Sequence, residues 1–314
     1  MPLDPLLQAF LDQMKAQPQP PMQDLGAPVA REMFAALMNL VGPKDVPIGK
    51  TENITIPGPG GDIAARVYDP VAAGSDAQAT LVFFHGGGWV IGDLDTHDGL
   101  CRMFANEGGL KVIAVDYRRA PEHTFPAAID DAFVALTWIE HNAAQLGVDP
   151  NRVAVGGDSA GAGLAAAVAQ MANDKAAPKV GFQLLMFPVA QVGGDTSSLH
   201  DFAEGYFLET ATLNWFYDCY VPNAQDRADP RVSPLLAEDL SGLPNAYVVL
   251  AGHDPLHDEG LRYVEKLRGA GVSVTVADYP DMVHDFIYMQ AVLPQAHEAV
   301  AAAGRAVAAA LAKS

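Results

Sequence analysis

The chain has 314 residues, of which 50% are hydrophobic and 18% are charged, a composition typical of a globular protein and not of a disordered one. Its formal net charge of -19 repels phosphate backbones and anionic headgroups, which argues against nucleic acid and charged membrane surfaces as partners. Two cysteines are too few for a disulfide framework, and we find neither a signal-peptide pattern nor an apolar run long enough to cross a bilayer. We therefore expect a cytoplasmic protein without integral membrane contact.

The first part of the chain has a pattern that predicts two amphipathic helices. Apolar residues recur at helical spacing over residues 4–16 and 24–41, and a proline-rich break at 17–22 separates the two stretches. From residue 50 onward the period changes to two, and glycine and proline at 57–61 divide two such runs, which predicts a β-hairpin.

Short apolar runs and helical stretches alternate through the rest of the chain. The helical stretches include residues 127–145, 160–171 and 296–312. The apolar runs are typical of buried strands and cover residues 81–84, 112–115, 153–155, 182–187, 247–250 and 272–277. Strands that alternate with helices predict an α/β fold in which a mostly parallel sheet is covered by helices on both faces.

One segment rich in aromatic residues, 196–221, interrupts this alternation. We interpret it as an inserted helical cap, and an ordinary helix that covers the sheet is the alternative. The expected organisation is a pair of N-terminal cap helices in residues 1–45 and a catalytic domain in residues 46–314, with a cap insertion at about 192–225.

A nucleophile motif lies between a predicted strand and a predicted helix. Residues 157–161 read G-D-S-A-G, which is a G-x-S-x-G sequence with Ser159 at its centre. On such a turn the serine is held in strained dihedral angles, and the two glycines leave room for the close approach of strand and helix. The free N–H groups of the helix N-terminus also lie beside the reacting atom. The pattern predicts that Ser159 is the nucleophile of a hydrolase.

A serine hydroxyl needs a base to activate it, and that base needs a group that fixes its tautomer. In the α/β-hydrolase order an acid and then a histidine follow the serine, each on a loop after a later strand. Asp254 and His284 each follow such a strand. We therefore predict that His284 is the general base and that Asp254 orients it, with Asp258 and Asp285 as the alternative acids.

A second motif, HGGGW at residues 85–89, directly follows the apolar run at 81–84. Successive glycines adopt backbone conformations closed to other residues, so several N–H groups can point to one place. We predict that Gly86, Gly87 and Ala160 are the donors of an oxyanion hole. A phosphate cradle is the alternative, but no G-K-[ST] follows. No H-E-x-x-H or other metal-ligand pattern occurs either, so we expect neither a cofactor nor a metal.

Together these motifs resemble those of the hormone-sensitive-lipase-like, or bacterial family IV, esterases. The resemblance runs in order through HGGGW at 85–89, DYRRAPEH at 116–123, GDSAG at 157–161, DPL at 254–256 and MVH at 282–284. It implies an eight-stranded α/β-hydrolase sheet, a cap built from the N-terminal helices and the insertion, and a two-step acyl-enzyme mechanism without a cofactor. It also carries the same catalytic and oxyanion roles onto Ser159, Asp254, His284, Gly86, Gly87 and Ala160.

Three residues depart from the pattern of this family. Arg119 stands where leucine is usual, His253 where a hydrophobic residue often precedes the acid, and Asp285 where glycine commonly follows the base. A carboxylate beside His284 could raise the pKa of that histidine by favouring the imidazolium, and the alternative is that the Asp285 side chain points to solvent.

The sequence thus predicts a carboxylic ester hydrolase that acts on short-chain acyl esters of small molecules. An amidase or a lactone hydrolase with the same triad is the enzymatic alternative, and a catalytically silent ligand-binding protein on the same fold is the alternative from another class. The oligomeric state is left open, with a homodimer among the alternatives. The residues predicted to line the substrate pocket are Met38, Trp89, Tyr206, Phe207 and Leu208.

Overall fold

The computed structural model describes residues 1–72, 74, 76–174 and 177–312. Within these residues the chain forms eight strands: β1 (Lys50–Gly58), β2 (Gly61–Asp69), β3 (Gln78–Phe84), β4 (Lys111–Asp116), β5 (Val148–Asp158), β6 (Phe182–Met186), β7 (Ala246–His253) and β8 (Val274–Val283). The α-helices of the same residues are α1 (Pro5–Ala16), α2 (Met22–Val41), α3 (Asp98–Gly108), α4 (Ala127–His141), α5 (Ala143–Leu146), α6 (Ala160–Met171), α7 (Ser197–Asp201), α8 (Thr210–Tyr220), α9 (His257–Gly269) and α10 (Pro294–Ala310).

All eight strands belong to one sheet, in the order β1-β2-β4-β3-β5-β6-β7-β8. The pairs β1-β2 and β2-β4 are antiparallel, and every other neighbouring pair is parallel. The mostly parallel, eight-stranded α/β-hydrolase sheet implied by the resemblance is therefore confirmed. Because parallel strands end at the same edge of a sheet, the loops after β3, β5, β7 and β8 converge there.

Both faces of the sheet are covered by helices. In β3, Val82 and Phe84 belong to a hydrophobic cluster with α4, α6 and α9, whereas Leu81 and Phe83 belong to a second cluster with α3 and α10. This alternation follows from the two-residue period of a strand. Burial of each such side chain stabilises the fold by about 1.5–3 kcal/mol relative to its exposed state. Two buried faces also explain why the strands read as unbroken apolar runs.

The helix predicted over residues 24–41 is interrupted near its start. Gly26 has a φ of 76° and a ψ of 164°, outside the helical region, and Pro28 lies at the beginning of the part that continues. Proline has no N–H to donate and a fixed φ, so it fits the first turn of a helix better than the interior. The helical spacing of apolar residues therefore extends across a kink.

The aromatic-rich segment after β6 contains two helices, α7 and α8. Helix α8 contacts α2 near the start of the chain, where the Thr212 hydroxyl donates to Oε1 of Gln23 at 3.0 Å. We refer to residues 1–45 and 192–225, which the sequence predicts to form a cap, as the cap segments. Across the described residues, no helix combines the length and apolar character that crossing a bilayer requires.

Candidate active site

Ser159 occupies a sharp turn between β5 and α6. Its φ of 54° and ψ of -120° lie outside the regions that L-residues usually adopt, so the backbone is strained there. Hydrogen bonds fix this conformation: the Ser159 N–H donates to the Met186 carbonyl at 2.8 Å, and the Ser159 carbonyl accepts from Gly163 at 3.1 Å and from Val189 at 3.2 Å. The serine therefore lies on the strand-to-helix turn that its motif predicts.

The glycines on either side of this turn are needed for space. A Cβ atom on Gly157 would collide with the Phe84 carbonyl oxygen, and a Cβ atom on Gly161 would collide with the carbonyl oxygens of Phe84 and His85. Strand β3 and the start of α6 thus approach more closely than any larger residue allows. This close approach places the glycine motif after β3 beside the nucleophile.

Asp254, His284 and Ser159 form a continuous chain of hydrogen bonds. The Nδ1 atom of His284 lies 2.7 Å from Oδ2 of Asp254, and its Nε2 atom lies 2.9 Å from Oγ of Ser159. The second Asp254 oxygen accepts the N–H of Leu256 at 2.8 Å, which fixes the carboxylate. Only 1% of Asp254, 3% of His284 and 6% of Ser159 is exposed. The arrangement is that of a serine nucleophile, a general base and the acid that orients the base.

The two alternative acids lie elsewhere. Asp258 accepts the N–H of Ser198 at 3.1 Å. Asp285 lies 3.4 Å from Nε2 of His284, which is the nitrogen that faces the nucleophile, so it cannot fix the tautomer through Nδ1. Asp254 is the acid of the triad on geometric grounds.

Negative charge surrounds the catalytic imidazole. Burial disfavours the imidazolium, but the charges of Asp254 and Asp285 outweigh this effect and raise the pKa of His284 to about 9. The Asp285 side chain is 14% exposed. Burial also raises the pKa of the Asp285 carboxyl. Because this carboxyl lies 3.4 Å from Nε2 of His284, the titrations of Asp285 and His284 depend on each other.

Replacement of Asp285 by asparagine should move the acidic limb of the kcat/KM profile to lower pH. Loss of a negative charge 3.4 Å from Nε2 disfavours the imidazolium, so the pKa of His284 falls and the neutral base persists at lower pH. Since kcat/KM reports the free enzyme, a pH profile with a short aryl ester measures this shift directly. Asp285→Gly also removes this charge and should shift the acidic limb in the same direction. The fold should tolerate this substitution, because a φ of 54° suits glycine.

The control for this experiment is Asp278→Asn. Asp278 lies 3.5 Å from His257 and has a half-exposed side chain, so its removal changes the net charge equally without touching the triad. Its acidic limb should match that of the wild type. Coincident limbs for the wild type and both Asp285 variants would show that this carboxylate does not influence the base.

The glycine motif forms a turn between β3 and α3 in which the backbone takes unusual dihedral angles. Gly87 has a φ of 105°, and the next two residues, Gly88 and Trp89, have φ values of 59° and 60°. Within the part of the chain that the structure describes, the N–H groups of Gly87 and Gly88 meet no protein acceptor. Ala160 opens α6, where the first N–H groups of a helix have no intrahelical partner.

Gly86 has a different hydrogen-bond partner from the one predicted. Its N–H donates to Oδ1 of Asp158 at 3.0 Å and lies 3.2 Å from Nε2 of His97. A group that already donates to a buried carboxylate is not open to an oxyanion, so the predicted role of Gly86 is corrected. The oxyanion roles of Gly87 and Ala160 stay predictions.

Sequence reasoning missed the function of Asp158, the variable residue of the G-x-S-x-G motif. Its side chain is 1% exposed, and its two oxygens face Gly86 and, at 3.5 Å, Nε2 of His97. The carboxylate thereby ties the nucleophile turn to the glycine turn. No single-sequence signal identifies this role, because the motif leaves that position unspecified.

The five predicted pocket residues occupy several places. Trp89 stacks on Tyr220 at 4.4 Å, and Tyr206 stacks on His253 at 5.3 Å. Met38 lines a cavity of about 630 Å³ beside α3, whereas Phe207 lines another cavity of about 550 Å³ between α1 and residues 204–209. Leu208 is partly buried against the cluster that contains α4 and α6. Met38 and Phe207 thus face different cavities, and a shared pocket stays a prediction.

As to metal ions, the described residues contain no group of three His, Cys, Asp or Glu side chains placed to hold one.

The chain is similar to known hydrolases over most of its length. Residues 81–288 match a family model described as an alpha/beta hydrolase fold. It is 46% identical to the carboxylic ester hydrolase LipN of Mycobacterium tuberculosis over 75% of this chain and 64% of that protein, so the match spans less than two thirds of that relative. It is 39% identical to an ethyl acetate hydrolase of Pseudomonas putida over 95% of this chain and 96% of that one.

A solved structure supports the same relationship. The hyperthermophilic esterase of Pyrobaculum calidifontis superimposes with a TM-score of 0.93 at 40% identity, over 99% of this chain and 100% of the other. The matched region contains the triad and the glycine turn described above. The chain therefore belongs to the hormone-sensitive-lipase-like, or bacterial family IV, esterases of the α/β-hydrolase superfamily.

Proposed function

We propose that this serine esterase hydrolyses short-chain acyl esters of small molecules through an acyl-enzyme on Ser159. The observation that carries the proposal is the buried, continuous hydrogen-bonded chain from Asp254 through His284 to Ser159. Relatives named as an ethyl acetate hydrolase and as an arylesterase of Saccharolobus solfataricus support small esters as the substrate class.

In the first half of the reaction, Nε2 of His284 accepts the proton of the Ser159 hydroxyl as its oxygen attacks the ester carbonyl. The tetrahedral intermediate carries its charge on the former carbonyl oxygen. His284 then gives the proton to the leaving alcohol, and the acyl-enzyme remains. A water molecule repeats the sequence, with His284 as base and then as acid, and the carboxylic acid departs.

We place the oxyanion against the N–H groups of Gly87, Gly88 and Ala160. Gly88 takes the place of Gly86 in this set because the Gly86 N–H already donates to Asp158. The N-terminal position of Ala160 on α6 supports its part, since the positive end of the helix dipole favours a developing negative charge. All groups needed for the chemistry belong to one chain, so a homodimer would leave the mechanism unchanged.

The cap segments form, in this proposal, the cover of the substrate pocket. The contact of α2 with α8 through Gln23 and Thr212 supports a joint cover made of two segments. A cytoplasmic location is supported by the two cysteines, Cys101 and Cys219, which are both free.

Enlarging the pocket through Phe207→Ala or Leu208→Ala should shift the preferred acyl chain toward longer esters. One methylene in a hydrophobic pocket is worth roughly 1–3 kcal/mol, so the shift should be graded, with short esters still hydrolysed. The measurement is kcat/KM across an aryl ester series from acetate to decanoate. Phe133→Ala in α4 serves as a volume-matched control and should leave the profile in place. Unchanged profiles for both cap variants would put Phe207 and Leu208 in the packed interior of the cap.

The same assay separates the alternatives. Amide and lactone analogues of the best ester, turned over faster than the ester itself, would favour an amidase or a lactone hydrolase. A protein that binds esters without any turnover would be a ligand-binding member of the fold.

A further inference from the structure

The backbone of the glycine turn, residues 86–89, is strained. Gly87, Gly88 and Trp89 all have positive φ values, and for a bulky residue such as Trp89 this conformation is unfavourable. Strained backbone of this kind persists only where surrounding contacts determine it, at a cost of roughly 1–3 kcal/mol for each such residue. The contacts that fix the turn therefore also fix where its N–H groups point.

Two hydrogen bonds within the turn fix part of its backbone conformation. The N–H groups of Val90 and Ile91 both donate to the Gly87 carbonyl, at 3.0 and 2.9 Å. These bonds orient the peptide between Gly87 and Gly88, whose N–H is one of the proposed oxyanion donors. Their geometry depends in turn on where Val90 and Ile91 are held.

Arg31, on helix α2 in the first cap segment, donates hydrogen bonds to the backbone at and beside this turn. Its Nε donates to the Val90 carbonyl at 2.8 Å, and its Nη2 donates to the Ala120 carbonyl at 2.9 Å. The Ala120 N–H itself donates to the Trp89 carbonyl at 2.8 Å. Glu122 orients the guanidinium through two bonds, from Nη1 at 2.9 Å and from Nη2 at 2.6 Å. One planar side chain thus connects the cap to both sides of the turn.

Arg119 donates a further hydrogen bond to the backbone at the end of the turn. Its Nη1 donates to the Gly92 carbonyl at 2.6 Å, three residues after Trp89 where the turn ends. This is the position at which the family usually carries leucine, a side chain that cannot donate a hydrogen bond. The departure noted in the sequence therefore adds a contact to the same turn.

We propose that Arg31 and Arg119 are positioning residues for the oxyanion hole, and that Arg31 makes the geometry of the hole depend on the seating of the cap. When α2 is seated, the Val90 and Ala120 carbonyls are bound and the turn presents its N–H groups. When α2 lifts, both bonds are lost together. Closure of the cap would then complete the catalytic site as well as enclose the substrate. The inference rests on the proposed oxyanion role of this turn.

A purely structural ion pair between Arg31 and Glu122 is the competing explanation. Such a pair, with Glu122 49% exposed, would affect stability slightly and catalysis not at all. A positioning role instead affects the transition state, where the oxyanion exists, more than substrate binding. The two explanations therefore differ in how kcat and KM respond.

The variants to compare are Arg31→Met, Arg31→Lys, Arg119→Leu and the double variant Arg31→Met/Arg119→Leu. Glu32→Gln is the matched control, because Glu32 follows Arg31 directly in α2, its side chain is exposed, and the substitution also removes one charge. For each protein we would measure kcat and KM with a short aryl ester, the inhibition constant of an aryl trifluoromethyl ketone, and the thermal midpoint. The ketone forms a serine adduct with an oxyanion, so its affinity reports the donors directly.

We expect Arg31→Met to lower kcat by about 10- to 100-fold with little change in KM, since a misplacement of about 1 Å can cost 10²-fold in rate. The ketone affinity should fall in parallel. Arg31→Lys should recover part of the loss because its ammonium can still bind one carbonyl, and Glu32→Gln should resemble the wild type. Arg119→Leu should lower kcat in the same sense, and the double variant should lose less than the product of the single effects, because both arginines fix one turn.

The inference is overturned if Arg31→Met and Arg119→Leu keep the wild-type kcat and ketone affinity, or if Glu32→Gln loses as much activity as Arg31→Met. Should Arg31→Met fail to fold, Arg31→Lys and Arg119→Leu decide the question by the same criteria. Failure of the proposed function has a different signature, since the wild type itself would then neither hydrolyse esters nor bind the ketone.

Discussion

Ser159→Ala should lower kcat for ester hydrolysis by on the order of 10⁶-fold while the protein stays folded. The substitution removes the oxygen that forms the acyl-enzyme and leaves only the part of the rate enhancement due to binding and oxyanion stabilisation, roughly 10³ to 10⁴ over water. Stability should change little, because the lost side-chain contact is one hydrogen bond to His284, worth about 1 kcal/mol.

Two further measurements make this prediction specific to the triad. A fluorophosphonate probe should label Ser159 in the wild type and leave Ser159→Ala unlabelled. The double variant Ser159→Ala/His284→Ala should be no slower than Ser159→Ala alone, because nucleophile and base act as one unit and their effects are not additive. Retention of more than about a tenth of the wild-type activity, or labelling at another serine, would remove Ser159 from the mechanism.

The positions of the three catalytic residues could be predicted from the sequence because each follows a recognisable strand. Ser159 comes after β5, Asp254 after β7 and His284 after β8, and parallel strands deliver their loops to one edge of a sheet. The choice of Asp254 over Asp258 and Asp285 needed the structure, in which the Asp254 carboxylate lies 2.7 Å from Nδ1 of His284. The residue types of the triad and the strands that precede them could both be recognised in the sequence.

The oxyanion donors could not be predicted to the same accuracy, because they are backbone groups. Every residue of a glycine run has the same N–H, and which of them is free depends on the partners that the fold supplies. Gly86 loses its availability to Asp158, a residue 72 positions away. That pairing depends on the register of β3 against β5, with Phe84 opposite Gly157, which the sequence does not state.

The contacts of Arg31 and Asp285 could not be predicted from the sequence for the same reason, because they depend on how distant segments pack. Arg31 reaches Val90 and Ala120 across 59 and 89 positions of the chain, so the spacing of apolar residues in α2 contains no sign of it. Asp285 could be recognised as a departure from the family, but whether it faced solvent or the base depended on the turn after β8. Its αL backbone directs it toward Nε2 of His284.

Gly87→Val should lower kcat by about 10²- to 10³-fold, the effect of losing one oxyanion donor. At a φ of 105° a β-branched residue is strained, and a Cβ atom at this position would collide with the backbone carbonyl of Ile91. Since Ile91 donates to the Gly87 carbonyl, the collision pushes apart the two halves of the turn and redirects the N–H groups of Gly87 and Gly88. KM should change less than kcat, because the ground-state ester makes weaker hydrogen bonds than the tetrahedral intermediate.

The control for Gly87→Val is Gly61→Val, which separates backbone strain from the loss of a donor. Gly61 has a φ of 125° at the start of β2 and lies far along the sheet from the triad, and a Cβ atom there would have no heavy atom within 4 Å. Both variants should therefore lose stability, by roughly 1–3 kcal/mol from the strained conformation, as measured by denaturant unfolding. Only Gly87→Val should also lose kcat and affinity for a trifluoromethyl ketone. If Gly87→Val instead kept the activity of Gly61→Val, the oxyanion would have to be bound by groups other than those of the glycine turn.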